Sequence, residues 1–340
     1  MKVSTEIDGL AFAAMHGMML HEAQEHGLPV LEQTDSHLKI QSDYGAFAIT
    51  DLAKNGLRLE VEATRTNDLH VLRDSLVEHI AHYLPEIATK IAWSDTITDG
   101  ATPPNFQFAE VLSSFQLSAC FQRLTLRLET AEHFDDRGIH FRFILPDPAN
   151  TKPEWPKLAA NGATRWPVGD KELHRPIYTV RAQRDAEIDV DVFQHKGGLA
   201  SEWSRNVKRG EKVALIGPGG GGVLTQSVVV LAGDETAYPA ISRILDSLDQ
   251  DATANVVLLS QQGYNDYPIP ERPNTMLRWV APISFVRHVE QAITAAPDCY
   301  AWIAAESNPV TQIRESEAFR SLPKTHRLAA VYWTAGKGSP

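Results

Sequence analysis

From about residue 226 onward, unbroken apolar runs alternate with helix-like stretches, and few folds accept that order. Residues 228–232 are apolar throughout, and a helical pattern over 237–248 follows them. Strand-like runs at 255–260, 276–279 and 300–304 come next, with a helical pattern over 283–295 between the last two. A strand that is apolar at every position is buried on both faces, so helices must cover both sides of a parallel sheet. Residues 226–340 are expected to form such a domain.

The texture before this point is different. Strands are expected at 124–128, 139–145, 176–181, 188–193 and 212–216, short and divided by Gly, Pro and Asp. That pattern fits an antiparallel barrel over 105–225. The stretch 94–105 holds Gly100, Pro103 and Pro104 with little apolar content and reads as a linker. Before it, a helix is expected over 6–27, strands over 38–40, 45–52 and 57–63, and a helix over 69–84 with Asn67 as its cap. Leu57, Leu59 and Val61 alternate with Arg58, Glu60 and Glu62, as a half-buried strand does. The fold class is therefore multidomain α+β: a small α+β domain over 1–95, the barrel, and the parallel α/β domain. A barrel followed by a nucleotide-binding half resembles the ferredoxin-reductase-like flavoenzymes, and fold alone gives no function.

Bulk properties exclude some classes. A net charge of −11 argues against nucleic acid, which needs a concentrated basic surface. Two cysteines, Cys120 and Cys299, build neither a disulfide framework nor an iron–sulfur cluster, so redox chemistry needs another carrier. The first 30 residues carry no secretory pattern, and no run reaches the ~20 apolar residues of a membrane span. The expected location is the cytoplasm, without membrane insertion. Seven of the 13 histidines fall in the first 93 residues. His16, His21 and His26 do not share a helix face, since five residues advance a helix by about 500°. His79 and His82 do share one, yet a solvated surface suits them better than a metal site, and no metal is expected.

Five stretches carry chemistry. Arg175, Tyr178 and Thr179 lie on one expected strand. A flavin asks for a cation at its pyrophosphate, an aromatic ring beside its isoalloxazine and a hydroxyl near N5. An ordinary amphipathic barrel strand fits the same residues. His195, Gly198, Ala200 and Ser201 follow a strand and open a helix, where backbone N–H groups meet a phosphate; a capped Gly-Gly turn is the plain alternative. The glycine run 217–222 lacks the spacing of a phosphate loop and reads as a flexible interdomain turn. Gly233, Asp234, Glu235, Thr236 and Pro239 sit at the carboxyl end of the first parallel strand, where α/β sheets bind nucleotides. Either Asp234 or Thr236 can cap the next helix, and the two carboxylates are expected to turn to ribose, helix N–H groups or solvent. Tyr332 and Trp333 close the last strand and either flank a bound ring or fill the core.

In this order the five stretches resemble the siderophore-interacting protein family, the FAD-dependent ferric-siderophore reductases. The resemblance spans roughly 106–338 and is strongest at the Gly233–Asp234–Glu235–Thr236–Ala237 turn. The segment from Gly138 to Arg142 is similar to the family's early barrel strand, while the glycine-rich run 219–222 and Ala305 before Glu306 depart from its pattern. The resemblance implies that Arg175, Tyr178 and Thr179 hold FAD, with Thr179 at N5. It implies that His195, Gly198, Ala200 and Ser201 surround the pyrophosphate. It puts Gly233, Asp234, Glu235, Thr236 and Pro239 at the nicotinamide, and Trp333 on the flavin's far side. NADPH or NADH would be the donor and a ferric siderophore the acceptor. Ser260, Gln261 and Gln262 offer no acid after the second strand, which favours NADPH through Arg278 or Arg272. Ferric chelates are often anionic, so Lys337, Arg181 and Arg165 are candidate substrate contacts. Residues 1–93 resemble a small domain found with such reductases, which brings no known chemistry. Two other functions use the same motifs: a reductase for a flavodoxin, ferredoxin or quinone, and a flavoprotein that only binds a ferric chelate.

Overall fold

The computed structural model describes residues 1–25, 27–52 and 56–336. His26 and Lys337 thus lie outside the described residues. The chain divides into two compact units, Met1–Phe106 with Pro146–Leu173, and Gln107–Leu145 with His174–Pro340.

The first unit begins with β1 (Lys2–Asp8), α1 (Phe12–Glu25), β2 (Val30–Gln33), β3 (His37–Ser42), β4 (Gly45–Asp51), β5 (Gly56–Glu62), α2 (Thr66–Tyr83) and α3 (Pro85–Ala88). Its antiparallel sheet runs β1-β5-β4-β3-β2. Leu38, Ile40, Ile49, Leu57, Leu59 and Val61 share its core with Met15, Met19, Leu76 and Ile80 of the helices. The helix expected over 6–27 is shorter. Val3, Thr5 and Ile7 alternate inward along β1, and Gly9, at φ +79°, ends the strand before α1 begins. Asn67 does not cap α2; the helix starts at Thr66 behind Arg65, and Asn67 is buried inside its first turn.

The second unit opens with β6 (Phe106–Ser118), β7 (Phe121–Leu128) and β8 (His140–Ile144). The chain then leaves it. Residues Pro146–Leu173, which hold β9 (Lys157–Leu158) and β10 (Thr164–Arg165), belong to the first unit. There the Trp93 indole donates to Asn161 O at 2.8 Å, and Asn161 Nδ2 donates to Ala88 O at 2.9 Å. Asp74 accepts from both the backbone and the hydroxyl of Thr164, at 2.7 and 2.9 Å. Nothing in the composition of this strap suggests so distant a partner.

The chain returns through β11 (Ile177–Thr179), β12 (Ala182–Arg184), β13 (Glu187–Phe193), α4 (Leu199–Asn206) and β14 (Lys212–Gly219). The sheet order is β11-β8-β14-β6-β7-β13-β12. Arg181 N donates to Asp189 O at 2.8 Å, which brings the end of β11 back to β13 and curls the sheet. The glycine run is not simply a turn. β14 continues through Gly217 and Pro218, and Gly219 still pairs with His140. A Cβ on Gly217 would lie 2.8 Å from Phe141 Cβ, and one on Gly220 would lie 2.8 Å from His140 Nδ1. The glycines admit a close approach to β8.

The rest is β15 (Val228–Gly233), α5 (Tyr238–Ser247), β16 (Thr253–Leu259), β17 (Thr275–Val280), α6 (Phe285–Ala295), β18 (Tyr300–Glu306), α7 (Ser307–Glu315), α8 (Glu317–Ser321) and β19 (Arg327–Trp333). The sheet is parallel throughout, in the order β17-β16-β15-β18-β19. Alternate residues of β15 enter two cores: Val229 and Leu231 pack with α5, Val230 and Ala232 with α6 and α7. The chain steps from β15 to β16 and β17 on one side and then crosses to β18 and β19 on the other, so β15 and β18 flank the switch point of the sheet. Among the described residues no helix is long and apolar enough to cross a membrane.

Candidate functional site

β11 is three residues long and is held by β8 alone in its register: Ile177 opposite Arg142, Tyr178 opposite Phe141, Thr179 opposite His140. Directly opposed residues point to the same face, so Thr179 and His140 are neighbours. Tyr178 turns the other way, its ring edge-on to Phe143 at 5.2 Å, and burial pushes its phenol up. Thr179 is buried, and among the described residues its hydroxyl has no hydrogen-bond partner. Arg175 stands just before the strand, where its carbonyl accepts from Arg142 Nη1 at 2.9 Å.

The segment from His195 is a tight loop feeding α4. Gly197 has φ +77°, and a Cβ on Gly198 would fall 2.5 Å from the His195 ring and 3.0 Å from Ser201 Oγ. Ser201 is fully buried; its hydroxyl accepts from His195 N at 3.2 Å and donates to Phe193 O at 3.1 Å. That hydroxyl therefore shapes the loop, and Ala200 packs into the barrel core. The first N–H groups of α4 lack helical partners, as at any helix start, and supply anion-binding capacity here.

At the carboxyl end of β15 the arrangement departs from the expected one. Asp234 has no exposed surface. Its Oδ1 accepts from the backbone N of Thr236 at 3.0 Å and from the Thr236 hydroxyl. Its Oδ2 accepts from Glu306 N and from Trp333 Nε1, both at 2.8 Å. Burial pushes this carboxyl up, and the four donors act against that shift. Of the expected directions, Asp234 takes backbone N–H groups at the start of the next helical turn and at Glu306, and it is shut off from solvent. Glu235 is also buried, and its Oε1 accepts from Gln261 N at 2.6 Å. Burial and then the neighbouring Asp234 raise its pKa against the pull of backbone N–H groups. Gly233 is required by packing: a Cβ there would lie 2.5 Å from Ala304 O and 2.5 Å from Ala237 Cβ. Pro239 starts α5 from a buried position.

Motif reading alone gave His140 no role. Its Nε2 and the Tyr332 hydroxyl share a hydrogen bond of 2.8 Å, with the two rings perpendicular. Burial, with Arg243 nearby, lowers its pKa to about 4, so the ring is neutral at physiological pH. Its position opposite Thr179 is the signal that pairing two expected strands would have yielded.

Of the three candidate substrate cations, Lys337 lies outside the described residues. Arg165 belongs to the first unit, on β10, 3.5 Å from Asp99. Arg181 is paired with Asp246 at 2.6 Å beside a cleft of about 570 Å³ that Asp135, Asp136, Asp185 and Arg243 also line. The structure does bring Gly233, Asp234, Thr236 and Trp333 together, and separately Arg175, Tyr178 and Thr179. Among the described residues no group of three or more His, Cys, Asp or Glu is placed to hold a metal.

Residues 110–222 match the siderophore-interacting FAD-binding domain, and residues 226–336 match the siderophore-interacting protein model. The NADPH-dependent ferric-chelate reductase of Escherichia coli (strain K12) is 29% identical over 248 residues, which are 68% of this chain and 93% of that one. The ferric vibriobactin reductase of Vibrio cholerae serotype O1 is 28% identical over 240 residues, 63% of this chain and 84% of that one. A siderophore-interacting protein from Aeromonas hydrophila superposes with a TM-score of 0.57 at 24% identity, over 68% of this chain and 93% of that one. One from Acinetobacter baumannii superposes with a TM-score of 0.54 at 20% identity, over 69% and 92%. The superpositions establish a shared fold.

Proposed function

Since the chain belongs to the siderophore-interacting protein family, we propose that it is an FAD-dependent reductase taking hydride from NAD(P)H and delivering electrons to ferric siderophores, with release of Fe(II). The observation that carries this reading is the His140–Tyr332 hydrogen bond. It joins the strand partner of Thr179 to the carboxyl end of the parallel sheet, so the proposed flavin strand and nucleotide crevice meet at one place. Hydride transfer asks for that convergence, because reacting atoms must approach within about 3–3.5 Å.

The residues fit FAD on three counts: a hydroxyl with no partner among the described residues at Thr179, an aromatic ring at Tyr178, and the glycine loop ahead of α4. The chemistry supplied by FAD, when bound at these residues, would be acceptance of hydride from the nicotinamide and release of single electrons to Fe(III). In this reading Thr179 offers its hydroxyl to the N5 edge, and Tyr178 supports the ring. Arg175 and the start of α4 bind the pyrophosphate, with His195, Gly198, Ala200 and Ser201 shaping the loop. The turn from Gly233 to Pro239 receives the nicotinamide end. Arg278, exposed on edge strand β17, is the better candidate for a 2′-phosphate, because Arg272 already donates to Leu245 O and Asp249 O. Lys337 stands as the proposed contact for an anionic chelate. The charge of Arg181 is offset by Asp246 and that of Arg165 by Asp99, which lessens what either contributes. Within the expected 105–225, residues 107–145 and 174–225 would hold the flavin, and 226–340 the nicotinamide, while the expected domain 1–95 takes in residues up to 106 and 146–173 as well; the reaction would run in the cytoplasm where NAD(P)H is supplied.

The test is an anaerobic absorbance titration of the flavin-loaded protein with NADH or NADPH, then a ferric siderophore with a chromogenic Fe(II) trap. Bleaching, reoxidation by the chelate and trapped Fe(II) are expected. A flavin that neither nucleotide reduces would rule the reading out, and bleaching without reoxidation by any ferric chelate would move it to another acceptor.

A further inference from the structure

We propose that Asp234 is a positioning residue: it holds the Trp333 indole across the carboxyl ends of β15 and β18, and its carboxylate makes no contact with the nucleotide. The proposal rests on the reductase reading above.

The geometry starts from strand order. Trp333 ends β19, which pairs with β18, and β18 pairs with β15. Asp234 follows β15. One whole strand lies between the two residues, and neighbouring strands are about 4.8 Å apart. A direct 2.8 Å bond from Trp333 Nε1 to Asp234 therefore requires the indole to lie over the end of β18. The residue it crosses is Glu306, the register partner of Trp333, whose own N–H donates to the same Asp234 oxygen.

The carboxylate has little left to offer a ligand. Each oxygen already accepts two protein donors, and the group is wholly buried. An ionised carboxylate facing four donors is a completed network, and replacing one acceptor by a donor breaks it.

Just beyond Trp333, Ala335 is held as well. Glu306 Oε1 accepts from Ala335 N at 3.1 Å and from the Ser307 hydroxyl at 2.7 Å, while Oε2 accepts from Asn308 N at 2.6 Å. The end of β19 is thus held through the indole and through the backbone. The crevice beneath lies at the sheet's switch point, where dinucleotides bind. Asp234 sets where an aromatic face stands over that crevice, and a planar nicotinamide or flavin ring stacks on such a face.

The experiment is an indole ¹⁵N–¹H spectrum of the flavin-loaded protein, titrated with NADP⁺ or NAD⁺, for wild type, Asp234→Asn, Trp333→Phe and the double variant. The Trp333 resonance, identified by its absence from Trp333→Phe, should move on adding nucleotide. Asp234→Asn should shift that resonance before any nucleotide is added. Each single variant should weaken nucleotide binding about tenfold, the scale of losing one hydrogen bond to a charged group, and the double variant no more than that. Should Asp234→Asn fail to fold, the wild-type titration and Trp333→Phe still decide. A Trp333 resonance that ignores saturating nucleotide, or unweakened binding in Trp333→Phe, overturns the assignment. So do multiplying effects in the double variant, which would mean that Asp234 acts on the nucleotide by itself. A wild-type flavin that neither reduced nucleotide bleaches overturns the reductase reading and this assignment with it, whereas a bleached flavin with an unmoved Trp333 overturns the assignment alone.

Discussion

The Tyr267 hydroxyl donates a 2.6 Å hydrogen bond to Asp191, the carboxylate that Arg123 grips with Nε and Nη2 at 2.6 and 2.7 Å. Asp191 and Arg123 are register partners on β13 and β7, while Tyr267 lies in the loop between β16 and β17. One buried carboxylate therefore ties that loop to the barrel. Asp266 adds a second tie by accepting from Ala119 N at 2.7 Å. Asp191→Ala would leave the guanidinium and the phenol without their acceptor. We expect a loss of about 3–5 kcal/mol in chemical denaturation, against about 1 kcal/mol for Tyr267→Phe. Equal losses would mean that the ion pair contributes nothing.

His140 makes stability depend on acid. Its folded pKa is near 4, below the ordinary 6.5, so the unfolded chain takes up the proton first as pH falls. The contribution is whole above about 6.5, declines through the window down to about 4, and is flat below it. His140→Gln should flatten that limb of a plot of unfolding free energy against pH. An unchanged slope between the two values would show that other groups set it.

Thr179→Val keeps the shape of β11 and removes the hydroxyl. FAD should stay bound, and reduction by NAD(P)H should slow about three- to tenfold, the scale of one hydrogen bond, in anaerobic stopped flow. Thr179→Ser should recover most of the rate. Valine and serine variants as fast as wild type would remove Thr179 from the proposed N5 contact.

The strap in the first unit depends on a few long-range bonds. Asp74→Ala deletes the acceptor of both Thr164 bonds, one of them to the backbone. A melting temperature lower by several degrees is expected, since each lost bond is worth about 1 kcal/mol. Cleavage by a protease within Pro146–Leu173 should rise with it, and a variant as stable and resistant as wild type would place the strap's anchorage elsewhere.

Where apolar residues repeat locally, sequence and structure agree. The alternation of Leu57, Leu59 and Val61 is β5, and the apolar run at 228–232 is most of β15. Reading failed where local signals compete. Val3, Thr5 and Ile7 make a strand just ahead of a genuine helix, and the helical pattern swallowed its end. The polar second half of β6, with Ser113, Ser114 and Gln116, gave no clear period. At the candidate site the motif residues were legible as types and not as contacts. Asp234 meets Glu306 and Trp333 across 72 and 99 residues, and no local pattern records such a meeting. The type that suggests a ligand contact is there a structural anchor.

The strap also bears on how this gene product can be taken apart. Residues Leu145 and His174 exchange backbone hydrogen bonds at the point where the chain departs for the first unit and comes back. Together with the passage at Phe106, the polypeptide crosses between the units three times. A nick in the stretch 94–105 would sever one of three covalent threads and leave residues 146–173 tethered to the barrel by the other two, with the leading residues held only by non-covalent contacts. Deleting the leading residues would remove the partners of Asn161 and Thr164 and leave their segment behind, spliced into the barrel next to Thr179. Dissection of this protein has to follow the path of the thread in space, and swapping the leading module between relatives means transplanting residues 146–173 with it.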